Sequence, residues 1–65
     1  MKGERTVGNM MEYLASKCKD ELTIYYRWGA WHVSVRDDDG FRSIQGADLL
    51  ITLARMVDMV EEKKP

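Results

Sequence analysis

The side chains that could do chemistry sit in the middle of the chain. Tyr25, Arg27, His32, Arg36 and Arg42 combine one phenol ring, one imidazole and three guanidinium groups within eighteen positions. Acid–base catalysis would need the imidazole beside a nucleophile or a carboxylate. Cys18 and His32 are the single thiol and single imidazole, fourteen positions apart. A zinc site would have to recruit carboxylates, and no ligand spacing suggests one. The run Asp37-Asp38-Asp39-Gly40 lacks the alternating ligands and closing Glu of a calcium loop and reads as a turn. No glycine-rich phosphate loop is present. The expectation is therefore a protein without enzymatic activity, cofactor or metal. Cys18 is expected as a small buried hydrophobe on a helix.

Those residues lie on segments of period two. Leu22, Ile24 and Tyr26 alternate with Thr23, Tyr25 and Arg27, and Trp31, Val33 and Val35 alternate with His32, Ser34 and Arg36. β-branched and aromatic residues favour strands. A two-residue Trp28-Gly29 loop would set Tyr26 opposite Trp31, Ile24 opposite Val33 and Leu22 opposite Val35. A slip of one residue would destroy that apolar face, so the register is well specified. A third, edge strand is expected from Phe41 to Gln45. A two-residue Asp39-Gly40 loop would set Val35 opposite Ile44, and a four-residue loop would set Val33 there instead.

The flanks have helical period. Val7, Met10, Met11, Leu14 and Cys18 recur three or four apart after Thr6, a suitable N-cap. A final helix is expected from about Ala47 to Glu62, with Asp48 near its start and Leu49, Leu50, Leu53, Ala54, Val57 and Val60 forming the apolar face. Ile51 should lie opposite that stripe, and Met56 and Met59 on an exposed flank. The order predicts a two-layer α+β domain, α-β-β-β-α. Its three-stranded antiparallel sheet would carry both helices on one face.

With 65 residues the chain makes one small domain, here expected over residues 1–65 with residues 1–5 and 63–65 as disordered ends. Ten Lys and Arg against eleven Asp and Glu give a net charge of −1, which excludes a polybasic arm and a strongly acidic nucleic-acid mimic. No apolar run is long enough to span a membrane and no secretory signal opens the chain, so a cytoplasmic location is expected.

What remains is surplus surface. Two helices cannot cover both faces of the sheet, so Thr23, Tyr25, Arg27, His32, Ser34, Arg36 and Ser43 are expected on an open face, with Arg42 joining them where nucleic acid is bound. Trp28 at the hairpin tip either folds back over the sheet edge, the favoured expectation, or anchors a partner. Together with Ile51, Met56 and Met59, these residues are the candidates for partner binding. The reading is a non-enzymatic protein-binding module, and self-association would enlarge a thin core. The alternative is a nucleic-acid-binding module that stacks bases on the open face, against which the acidic loop beside that face argues.

Three resemblances bear on this. The segment Thr6-Val7-Gly8-Asn9-Met10-Met11-Glu12-Tyr13-Leu14 resembles the opening helix of many small bacterial and phage proteins. The element order resembles double-stranded-RNA-binding domains, but Gly46-Ala47-Asp48-Leu49-Leu50 has no basic residue where those domains contact phosphate. In size, acidity and architecture the chain is similar to small phage-encoded inhibitors of host machinery, including some anti-CRISPR proteins. That last resemblance implies a protein of the host cytoplasm acting by surface occupation.

Overall fold

A computed structural model describes residues 3–18, 21–37 and 40–62. The elements run α1 (Val7–Lys17), β1 (Glu21–Arg27), β2 (Ala30–Asp37), β3 (Gly40–Gly46) and α2 (Leu49–Glu62). The strands form one antiparallel sheet in the order β1-β2-β3, and the helices pack on it as an α+β fold.

Helix α1 begins where Thr6 leaves helical geometry, its hydroxyl oxygen accepting from the Asn9 amide at 3.1 Å. That bond satisfies one of the N–H groups a helix start leaves orphaned. Cys18 ends the helix, donating its amide to the Leu14 carbonyl at 2.8 Å, with its side chain buried in the core. Just before the helix, Arg5 donates to Asp58 on α2 at 2.8 Å and lies 3.5 Å from Glu61, tying the two helices on their outer side.

The core is built from Met10, Leu14 and Cys18 of the first helical segment, Val33 and Val35 of β2, and Leu53, Met56, Val57 and Val60 of α2. Leu22, Ile24 and Ile44 pack against it half-buried. Strand β1 pairs with β2 as the alternation requires: Tyr26 opposite Trp31, Ile24 opposite Val33 and Leu22 opposite Val35. Arg27 pairs with Ala30, so Trp28-Gly29 is the two-residue loop, with φ of +54° and +74°. Positive φ at both central residues is the type I′ turn that matches strand twist.

Several side chains depart from expectation. Strand β3 takes the second of the two registers, with Val33 facing Ile44 and Val35 facing Arg42, but Gly40 pairs with Asp37, so two residues rather than the four expected with that register lie between the paired positions. Gly40 is thus a strand residue, and an Asp39-Gly40 turn is excluded. The two registers differ by two residues, which leaves every side chain on its own face, so facial patterning could not choose between them. Residues 38 and 39, the rest of the acidic turn, lie outside the described residues, as does the Lys63-Lys64-Pro65 end.

Helix α2 starts later than expected. Asp48 is its cap, its side-chain oxygen accepting from the Ile51 amide at 3.0 Å and its carbonyl from Thr52 at 2.9 Å. The helix is also rotated from the expected stripe. Leu50 is 45% exposed, whereas Thr52 and Met56 are buried. Thr52 can be buried because its hydroxyl donates to the Asp48 carbonyl at 2.7 Å. Met11 on α1 is also largely exposed, and Tyr13 packs on the core from that side.

Candidate functional site: the open sheet face

The uncovered face takes alternate residues from all three strands. Register rows across it read Glu21–Arg36–Phe41, Thr23–Ser34–Ser43 and Tyr25–His32–Gln45, with Arg27–Ala30 at the hairpin end. Strand pleating fixes this: residues of equal parity share a face, and α1 and α2 occupy the other.

In the Tyr25–His32–Gln45 row the rings of Tyr25 and His32 lie parallel, 4.7 Å between centroids and 7° between planes. The imidazole Nε2 lies 3.3 Å from the Arg27 carbonyl oxygen, within hydrogen-bonding reach. The pair is a fixed aromatic ridge rather than two free side chains. Beside it, the Ser34 hydroxyl donates to Ser43 at 3.1 Å, and the Glu21 carboxylate lies 3.7 Å from Arg36 Nε. Arg36 is therefore partly neutralised on its own sheet.

The hairpin tip is the most exposed aromatic. Trp28 is 83% exposed and does not fold back over the sheet edge, which corrects the favoured expectation. Instead the Arg27 guanidinium lies over the indole, 4.3 Å from its centroid. Its backbone is in the left-handed region, where a bulky residue costs about 1–3 kcal/mol. In a type I′ turn Asn or Gly would adopt that conformation with less strain.

The candidates divide accordingly. Tyr25, Arg27, Trp28, His32 and Arg36 come together along the hairpin. Arg42 does not join them: it shares parity with Ile44 and sits half-buried on the helix-facing side, opposite Val35. Met56 is fully buried core and Met59 half-buried against it, because the rotated helix turns that flank inward. Ile51 is 57% exposed, as its wheel position requires, but lies at the β3–α2 junction. Phe41 and Gln45 belong to the open face and were missed, although each lies an odd number of residues from Ile44, which strand alternation turns to the other face.

A cleft of about 200 Å³ at the β3–α2 junction is lined by Gln45, Gly46, Asp48, Ile51 and Arg55, among others. It is smaller than the roughly 300–1,000 Å³ of typical ligand pockets. Among the described residues no three His, Cys, Asp or Glu side chains gather as metal ligands would, and no helix is long and apolar enough to cross a membrane. No protein-family model matches the chain, and neither curated proteins nor solved structures give a match.

Proposed function

We propose that this chain is a non-enzymatic protein-binding module that acts by covering part of a partner's surface with its hairpin. The observation that carries this reading is Trp28. An indole held 83% exposed, in a strained backbone conformation and braced by Arg27, is costly to the isolated fold. Strain at an exposed aromatic points to a use outside the fold, and Trp with Arg and Tyr is the composition of binding hot spots. The Tyr25–His32 ridge supplies a rigid, amphipathic neighbour that loses little entropy on binding.

The same geometry weighs against nucleic acid. Base stacking needs open ring faces, and Tyr25 and His32 each cover one face of the other. The Glu21 carboxylate 3.7 Å from Arg36 offsets part of the positive charge that phosphates would need on this face. An inhibitor of a host complex is the specific form of the proposal that fits its size and architecture.

The test is affinity capture from a lysate of the cells that carry the gene, with the intact chain and with Trp28→Ala. A stoichiometric protein retained by the first and lost from the second supports the reading. Equal retention by both, or a mobility shift of single-stranded RNA at low salt, contradicts it.

A further inference from the structure

We propose that β1 is also a self-association edge, through which two copies of this chain pair antiparallel about a two-fold axis at Ile24. The inference goes beyond the hairpin reading and does not rest on it.

Strand β1 has a neighbour on one side only. Exposed edges normally carry a device against pairing: proline, a bulge, or an inward-pointing charge. β1, Glu-Leu-Thr-Ile-Tyr-Tyr-Arg, has none of these among its inward residues Leu22, Ile24 and Tyr26. They are also poorly covered: Leu22 and Ile24 are half-buried and Tyr26 is 58% exposed. The opposite edge differs, since β3 turns Arg42 inward.

The sequence of β1 is complementary to its own reverse. Centred on Ile24, antiparallel pairing sets Ile24 opposite Ile24 of the second copy, Leu22 opposite Tyr26, Thr23 opposite Tyr25, and Glu21 opposite Arg27. Apolar residues meet on the helix-facing side, and opposite charges meet at both ends of the ladder. A register shifted by two keeps the faces but parts Glu21 from Arg27. A shift by one sets inward residues against outward ones.

The backbone suits the same register. The turn pairs Arg27 with Ala30, so odd-numbered residues of β1 spend their amide and carbonyl on β2. Leu22, Ile24 and Tyr26 then direct theirs to the free edge, where each can exchange both bonds with the second copy. Arg27 need not leave Trp28, because a guanidinium stacked by its face keeps its edge N–H groups free. In the dimer the two open sheet faces become one continuous surface.

Light scattering at about 100 μM protein should give twice the 7.6 kDa chain mass. Glu21→Arg or Arg27→Glu alone sets like charges opposite each other at both ends, and each should weaken the dimer about 10-fold. The double swap should restore it to within about 3-fold of the original. Tyr26→Lys, an inward charge at an exposed position, should give a monomer with an unchanged circular dichroism spectrum. A mixed-label NMR sample of the unaltered chain should show an intermolecular NOE between the α-protons of Thr23 and Tyr25. A monomer at this concentration, a dimer indifferent to the single reversals, or absence of that NOE in a dimer would overturn the proposal.

Discussion

The two edge strands, β1 and β3, are seven residues each and flank the same central strand, yet they serve different ends. β3 is built into the fold. Helix α2 lies against it, Ile44 packs on the core, and Gly46 sits so close to Thr52 that a Cβ there would collide with the Thr52 hydroxyl. β1 is lightly covered and feeds a strained turn with an indole at its tip. The contrast teaches that this small domain draws its stability from the β2–β3–α2 side and spends little of it on β1. The β1–turn–β2 hairpin is thereby left to carry aromatic and charged residues that the core does not need.

If that division is right, substitutions on the two sides should have different consequences. The largest effect should come from the core under β2: Leu53→Ala removes a fully buried side chain and should cost about 2–5 kcal/mol in urea unfolding, a large share of the about 3–10 kcal/mol that a domain of this length holds. Next is Gly46→Ala, which should cost about 1–3 kcal/mol through the clash with Thr52. Thr52→Ala removes the clashing oxygen, so the double variant should be more stable than the sum of the two single changes, as a double-mutant cycle would show. On the other side the sign reverses. Trp28→Asn installs the preferred type I′ residue and should stabilise by about 0.5–1 kcal/mol net of the lost Arg27 stacking, a rise of about 2–8 °C in melting temperature. Ile51→Ser, at an exposed helical position, should stay within about 0.5 kcal/mol of the parent in the same melt.

The sequence made some of this legible and hid the rest for physical reasons. The β1–β2 register followed from alternation, because only one even pairing sets Leu22, Ile24 and Tyr26 against Val35, Val33 and Trp31. The β3 register did not, because a two-residue shift preserves faces and the acidic turn does not specify its own length. Thr6 as a cap was readable from residue type, whereas the rotation of α2 was not. Hydropathy favours Leu50 over Thr52, and burial of Thr52 depends on its bond to Asp48 and on the absent side chain of Gly46. In the site, the β1–β2 register sets Tyr25 opposite His32, but their stacking depends on side-chain rotamers that the register does not fix. Trp28 was legible as a tip residue, and a two-residue hairpin loop implies positive φ at its first position, but its exposure and its contact with Arg27 depend on side-chain packing that alternation does not fix.

The exposed indole is kept for a partner at the expense of the fold. The direct measurement is a thermal melt of Trp28→Asn paired with affinity capture by the same variant. With Trp28 as the anchor, the variant should melt higher and lose the protein that the unaltered chain retains, by at least about 30-fold in affinity. A variant that melts lower, or that captures the same protein as well as the parent, would contradict this.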